Sequence, residues 1–259
     1  MNALTTLPAN VSQFLESLPS EPSPECSDKY VFLDTRKVVE DMADLGYTLV
    51  DGRRAAARSR SGLYGVHELD FRRPQDLGKS TTEAPRILFF NSYDGSKKAQ
   101  FLSGLIRFAC SNGMVFGDFM ENEKFIHINS YEDELLAAVR CLAEGFGEKF
   151  DFIDRTKEIE LAPDVYLQMA DKALETRFTA NELRVDAHDI LAPRRESDTG
   201  SDLWTKFNVI QENIIRGGMY GEAPTDGKIR VAGPVTNIER STRLNAALWS
   251  TLEEFAELA

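Results

Sequence analysis

Apolar residues in the first half of the chain occur in the short runs that are typical of β-strands. Residues 87–90 form such a run after Pro85, and the polar sequence Asn-Ser-Tyr-Asp-Gly follows at residues 91–95. This arrangement predicts a buried strand that enters a turn. Gly95 is expected to supply a positive φ there, because a residue with a Cβ resists that conformation.

The next apolar run, at residues 99–110, carries apolar side chains on both parities. A buried strand and a short buried helix both remain open for it, since a period of two is weak. Asn112-Gly113 follows, and this dipeptide between apolar runs favours a tight hairpin turn. Residues 114–116 would then form the returning strand.

Three further strands and one helix are predicted around this region. Asp34 is a suitable N-cap for a helix with an apolar stripe from Val38 to Leu45, and Gly46 is expected to end that helix. Alternation predicts strands at residues 47–50, 63–71 and 124–129. The second of these places His67 on the same face as Leu69 and Phe71, while the Arg-rich residues 51–62 read as a loop or hairpin tip.

The second half of the chain is dominated by apolar residues at helical spacing. Helices are predicted after Ser130, from Pro163 and after Asp202, with a shorter helical segment at residues 179–191. Residues 222–235 read as a loop punctuated by Gly and Pro. The sequence Thr-Asn-Ile-Glu at residues 236–239 is a capping box for the final helix, with Thr236 as its N-cap.

Strands and helices are thus segregated along the chain. This segregation favours an α+β fold, with an N-terminal antiparallel sheet and packed helices followed by a mostly helical C-terminal half. We divide the chain into a flexible N-terminal segment (1–28), an α+β domain (29–130), a helical region (131–192) and a C-terminal helical region (193–259) that begins with a linker. The first segment reads as a disordered tail or as a peptide that docks on a partner.

Composition restricts the class of protein. The 259 residues carry a net charge of −12, with 42% hydrophobic and 28% charged residues, which is ordinary for a globular protein. No apolar run reaches membrane-spanning length and no signal sequence is recognisable, so a cytoplasmic location is expected. Three cysteines without metal-ligand spacing are consistent with that reducing compartment.

Charge is unevenly distributed along this acidic chain. Residues 53–110 contain eleven Lys and Arg against five Asp and Glu, whereas residues 118–164 contain five against thirteen. Overall acidity argues against indiscriminate binding of nucleic acid, but the basic region can form a focused anion site. Its candidate phosphate contacts are Arg53, Arg54, Arg58, Arg60, Arg72, Arg73, Lys97, Lys98 and Arg107. Tyr64 and Tyr93 are candidate stacking partners for bases.

The residues show no convincing catalytic or metal-binding constellation. Cys110 lies beside Phe108 and Ala109, where cysteine is usually a small core residue. Asp94, His67, His127 and Asp118 lack the helical spacing of metal ligands. The sequence Asp-Gly-Ser-Lys-Lys at residues 94–98 lacks the full spacing of a phosphate-binding loop of nucleotide hydrolases. No cofactor is predicted.

Two motifs resemble a known family. Asn-Ser-Tyr-Asp-Gly-Ser at residues 91–96 and Arg-Phe-Ala-Cys-Ser-Asn-Gly-Met-Val at residues 107–115 are similar to the hallmark of the phage/plasmid-like proteins catalogued as domain of unknown function 932. Tyr93 stands where that family usually has histidine. The resemblance covers roughly residues 31–259 and implies a protein from a mobile genetic element. It implies no established activity.

The leading hypothesis is a non-enzymatic accessory protein that binds nucleic acid, in particular single-stranded DNA, in replication or recombination, as a monomer or a homo-oligomer. Replacing Arg53, Arg54, Arg58 and Arg60 by alanine should then reduce the salt dependence of binding. The alternative is an anti-defence or regulatory protein that contacts a host protein through an acidic surface around residues 131–134.

Overall fold

A computed structural model describes residues 7–55, 62–77, 83–107, 112–115 and 131–258. Contacts divide these residues into two compact units. The first contains the described residues up to Phe146, and the second contains those from Gly147 onward. The sequence-based boundaries were placed after residues 28, 130 and 192, whereas this division falls within the helical stretch that begins at Tyr131.

The first unit is built on an antiparallel sheet in which each strand pairs with the next one along the chain. Its described strands are β1 (Thr48–Arg54), β2 (His67–Arg72), β3 (Glu83–Asn91), β4 (Gln100–Arg107) and β5 (Asn112–Val115). The described part of the run at residues 99–110 is therefore a strand and not a helix over Gln100–Arg107, and Phe101 pairs with Phe89 of β3. Pairing with β3 therefore supports the strand over the buried helix, which the weak period of two had left open.

Nearly every residue of β3 and β4 is buried, which requires cover on both faces of the sheet. Helices α1 (Ala9–Glu16) and α2 (Thr35–Asp44) contact β1, and helix α3 (Tyr131–Glu144) contacts β4. The predicted cap of α2 is confirmed, because the Asp34 carboxylate accepts a hydrogen bond from the Arg36 N–H at 3.0 Å. The apolar residues at both odd and even positions of these strands therefore lie on two buried faces of the sheet.

Residues 7–28 of the predicted flexible segment belong to the described part of the chain and include α1. Val11, Leu15 and Leu18 are buried. The Arg36 guanidinium donates to the main-chain oxygens of Leu15, Leu18 and Pro19, which fixes the end of α1 to the start of α2. The apolar side of this short helix is therefore packed within the first unit.

The predicted turn at Asn112-Gly113 is wrong by a few residues. Asn112 pairs with Arg107, and Gly113 pairs with Ile106, so both residues belong to β5. The connection comprises residues 108–111, which lie outside the described residues, as does the predicted strand at 124–129. Gly95 does have the predicted positive φ, at 72°.

The second unit is mostly helical. Its helices are α4 (Phe146–Thr156), α5 (Pro163–Arg177), α6 (Leu203–Arg216) and α7 (Ile238–Glu257). Trp204 and Trp249 are buried, with ring centroids 6.4 Å apart. Asp202 caps α6 as predicted. The cap of α7 is Asn237 and not the predicted Thr236, since the Asn237 side chain accepts from the Arg240 N–H at 2.9 Å.

A small antiparallel sheet in this unit was not predicted. It comprises β6 (Arg184–Val185), β7 (Tyr220–Ala223) and β8 (Lys228–Val231). The predicted helical segment at residues 179–191 is wrong apart from a short 3-10 helix, Ala187–Ile190, and the predicted loop at 222–235 contains most of a hairpin. Gly227, with φ of 67°, turns that hairpin. None of the described helices has both the length and the apolar character needed to cross a bilayer.

Candidate nucleic-acid interface

One end of the first sheet collects basic residues that are far apart in sequence. Arg54, at the end of β1, pairs with His67, and His67 pairs with Asn91 at the end of β3. Asn91 leads directly into the turn that carries Lys97 and Lys98. Since neighbouring strands lie about 4.8 Å apart, this turn begins about 10 Å from the end of β1. We call this end of the sheet, with Arg53, Arg54, Lys97 and Lys98, the basic end.

The turn between β3 and β4 is fixed by its own side chains. The Ser92 hydroxyl donates to the Lys97 carbonyl at 3.0 Å and accepts from the Lys97 N–H at 2.9 Å. The Asp94 carboxylate accepts from the Ser96 N–H at 2.9 Å. These bonds position the backbone of Lys97 while the Lys98 side chain remains exposed. Asp94 is the one acid of this turn.

A buried polar cluster lies at the same end of the sheet. The Thr35 hydroxyl accepts from the Asn91 side-chain amide at 3.2 Å and lies 2.8 Å from His67 Nε2. The Tyr93 hydroxyl accepts from the Thr35 N–H at 3.0 Å. Because all four side chains are buried, the cluster joins α2 to β2 and β3 and is closed to a substrate.

Burial sets the protonation of this cluster. It lowers the pKa of His67 from 6.5 to about 4, so the ring is neutral near neutral pH. The Gly65 carbonyl, 3.3 Å from Nδ1, can only accept, which assigns the proton to Nδ1 and leaves Nε2 to accept from Thr35. Burial also raises the pKa of Tyr30, whose hydroxyl donates to the Ser92 carbonyl, to about 12. These groups form hydrogen bonds and are not poised for acid–base chemistry.

The two arginines of β1 differ in how their charge is compensated. Arg53 forms a bidentate pair with the buried Glu68 carboxylate, with Nε–Oε1 and Nη2–Oε2 distances of 2.9 and 3.0 Å. Arg54 instead donates to the main-chain oxygen and the hydroxyl of Ser17, and no carboxylate in the described part of the chain pairs with it. Arg54 therefore contributes more net positive charge at the basic end than Arg53 does.

The other predicted phosphate contacts lie elsewhere. Arg72 pairs in register with Thr48 at the start of β1, so it lies at the opposite end of the sheet, about 16 Å from His67. Its guanidinium binds the Asp70 carboxylate at 2.8 Å, and that of Arg73 lies over the Tyr47 ring. Two further predicted contacts, Arg58 and Arg60, are outside the described residues.

Arg107 also belongs to this opposite end, because it pairs with Glu83 at the start of β3. It is buried, so a phosphate could not reach it without a rearrangement. The sheet therefore separates the predicted basic cluster into two groups. The spacing of arginines along the sequence gave no sign of this separation.

The two predicted stacking residues differ in exposure. Tyr93 is 0% exposed, and its ring packs against Phe32 and His67 with centroid distances of 4.7 and 5.0 Å. It presents no face to solvent on which a base could stack. Tyr64 is partly exposed, and its carbonyl accepts from the Tyr93 N–H at 2.7 Å. Of the two predicted stacking residues, Tyr64 is thus the one that retains some exposure near the basic end.

The described residues contain no group of three potential metal ligands among His, Cys, Asp and Glu. His67 and Asp94 form the structural hydrogen bonds given above, and Cys110, like His127 and Asp118, lies outside the described residues. Sequence reasoning missed Glu68 and Asp70 as partners of the arginines. The apolar neighbours of His67 on its predicted face were the one signal of its burial.

The comparisons agree with the resemblance carried by the two motifs. A family model described as "Domain of unknown function (DUF932)" matches residues 25–249. UPF0380 protein YfjQ of Escherichia coli (strain K12) is 29% identical over 229 residues, which cover 88% of this chain and 82% of that protein. UPF0380 protein YafZ of the same organism is 30% identical over 236 residues, with the same two coverages. No solved structure matches the chain. The chain therefore belongs to the DUF932 family.

Proposed function

We propose that this protein is a mobile-element accessory protein that binds nucleic acid, with single-stranded DNA as its preferred form, during replication or recombination. One observation carries the proposal: the topology of the sheet brings Arg53 and Arg54 of β1 to the same end as Lys97 and Lys98. Cations gathered from separate parts of the sequence supply the phosphate contacts on which binding of nucleic acid depends.

The mechanism is neutralisation of backbone phosphates at the basic end. Lys98 is exposed, so it can exchange solvent for phosphate at little cost. Arg54 bonds the neutral oxygens of Ser17 and has no carboxylate partner among the described residues, so its positive charge can attract a phosphate. Arg53 would have to share its guanidinium with Glu68. The partly exposed Tyr64 supports a preference for single strands, whose unpaired bases can stack on an aromatic ring.

The test is a fluorescence-anisotropy titration of the full chain with labelled single-stranded and double-stranded DNA at several salt concentrations. The informative variant is Lys97→Gln/Lys98→Gln. A matched control is Lys228→Gln/Arg230→Gln, which removes the same charge from two exposed residues of β8 in the other unit. Comparing the two separates a local contact from an effect of net charge.

We expect salt-sensitive binding that is tighter for the single strand. The lysine variant should lower the slope of log K against log salt by about 1.4, because each lost contact to a single strand removes about 0.7. The β8 control should keep the wild-type slope. Absence of binding at low salt, or an equal loss in the control, would refute the proposal and favour the alternative, capture of a host protein through the acidic surface.

A further inference from the structure

Three arginines converge on a cavity in the second unit, which no sequence pattern indicated. The cavity has a volume of about 370 Å³ and lies between the end of α5 and the start of α7. A site of this size can hold a small ligand or its charged part. The polar residues that line it are Arg177, Arg240, Arg243, Thr176, Asn237 and Glu239.

Arg177 is fixed in place without being neutralised. It is only 7% exposed, and its two terminal nitrogens donate to the main-chain oxygens of Ile214 and Gly233. Its Nε is buried and has no hydrogen-bond partner. Main-chain oxygens satisfy donors but carry no full negative charge, so the guanidinium charge remains uncompensated. No carboxylate in the described chain forms an ion pair with it.

Arg240 and Arg243 belong to the first turns of α7. They are three residues apart, which places them on neighbouring positions of one helix face, and both are exposed. Arg240 donates to the Arg177 carbonyl at 3.3 Å, so it lies beside the buried guanidinium. The positive end of the dipole of a 20-residue helix adds to the same field.

Two carboxylates are placed near these arginines. Glu239 lines the cavity and is the one acidic lining residue among those that the structure describes. Glu182 interacts with Arg240, but its carboxylate accepts a hydrogen bond from the Thr179 N–H at 2.8 Å. Burial and the nearby Arg240 charge lower the pKa of Arg177 to about 10, which still leaves it protonated at neutral pH. Like charges held this close favour an anion between them.

We propose that this cavity binds the phosphate group of a phosphate monoester. The planar guanidinium fork matches the geometry of phosphate oxygens, and a dianion compensates more of the cluster's charge than a carboxylate or chloride does. The phosphate can belong to a free nucleotide or to the terminus of a nucleic acid. This site is in a different unit from the basic end, so it does not depend on the function proposed above.

The experiment is isothermal titration of the full chain with inorganic phosphate, a nucleoside 5′-monophosphate and the corresponding nucleoside, at matched ionic strength in chloride. The informative variant is Arg240→Gln/Arg243→Gln, whose side chains are exposed and should not be needed for folding. The matched control is Arg184→Gln/Arg230→Gln, which changes two exposed arginines of the same unit outside the cavity.

We expect the monophosphate to bind, the nucleoside not to bind, and the cavity variant to weaken binding at least tenfold while the control retains it. The Lys97→Gln/Lys98→Gln variant should bind the monophosphate like wild type, which separates this site from DNA binding at the basic end. A 5′-phosphorylated oligonucleotide and its 5′-hydroxyl form are titrated in the same way. If the phosphorylated oligonucleotide binds while its 5′-hydroxyl form and the mononucleotide do not, the phosphate is that of a nucleic-acid terminus. Equal affinity for nucleoside and monophosphate, absence of binding by every phosphorylated probe, or equal losses in the control, would overturn the proposal.

Discussion

The hydroxyl of Tyr93 offers the most direct test of what the Asn-Ser-Tyr-Asp-Gly-Ser motif does. It accepts a hydrogen bond from the main-chain N–H of Thr35, the first residue of α2. The first N–H groups of a helix have no partner within the helix, so this donor depends on the tyrosine. Tyr93→Phe removes the acceptor and keeps the ring that packs against Phe32 and His67.

The expected cost follows from burial at both ends of the bond. Thr35 and Tyr93 are both 0% exposed, so water cannot replace the lost hydroxyl. A buried donor left without an acceptor costs about 1–3 kcal/mol, and the ring contacts contribute no further loss. We therefore expect Tyr93→Phe to lower the free energy of unfolding of the first unit by about 2 kcal/mol.

Urea denaturation followed by far-UV circular dichroism measures the overall loss, and hydrogen exchange of peptides from α2 localises it. Both tryptophans, Trp204 and Trp249, are in the second unit, so their fluorescence reports the unfolding of that unit separately from the protection of α2. Tyr220→Phe is the matched control, because Tyr220 is 64% exposed and should lose less than about 0.5 kcal/mol. Unchanged stability and unchanged protection of α2 in Tyr93→Phe would refute a structural role for the motif.

Two further predictions concern His67 and the glycines of the second unit. Because burial lowers the pKa of His67 from 6.5 to about 4, the unfolded state takes up a proton before the folded state does as pH falls. The free energy of unfolding should therefore be highest above pH 6.5 and should fall by about 2 kcal/mol between pH 7 and pH 5. Urea denaturation at both pH values should show this loss in wild type but not in His67→Gln, and an equal loss in the variant would contradict it. Gly217 and Gly227 both have positive φ, but only at Gly217 would a Cβ overlap main-chain oxygens, those of Ala232 and Gly233. Gly227→Ala should lower the free energy of unfolding by about 1 kcal/mol, and Gly217→Ala should lower it by at least about 2 kcal/mol more. Denaturation followed by tryptophan fluorescence measures both, and equal losses would be inconsistent with the overlap.

Local signals in the sequence predicted the features that depend on local contacts. The Asp34 cap and the turn at Gly95 each rest on residues within a few positions of one another, and both are present. The hairpin of β7 and β8 was missed because every residue of β8 is exposed, so the strand lacks the alternation that marks a half-buried one. Thr236 and Asn237 are both residue types that cap helices well, so the local sequence does not distinguish them, and the Asn237 side chain is the one that accepts from the Arg240 N–H.

The candidate site depended on register, which the sequence does not show. Arg53 and Glu68 are fifteen residues apart and meet only because β1 and β2 pair across a register shift between Leu49 and Asp51. The sequence contained the charges of this pair but not the fact that they compensate each other. Counting basic residues along the segment therefore overstated the free positive charge at the basic end.

An antiparallel meander explains why the basic cluster divides. The two ends of a strand lie at opposite ends of the sheet. Arg54 pairs with His67 at the start of β2, whereas Arg72 is the last residue of β2, so the two arginines are separated although they are close in sequence. The β1–β2 and β2–β3 reversals bring the end of β3, and with it Lys97, back to the same end of the sheet as Arg54. The motif at residues 91–96 marks the third reversal, between β3 and β4, and forms buried hydrogen bonds there. The motif therefore contributes to the fold, while in the function proposed above the phosphate contacts come from the cations that the fold brings to the basic end.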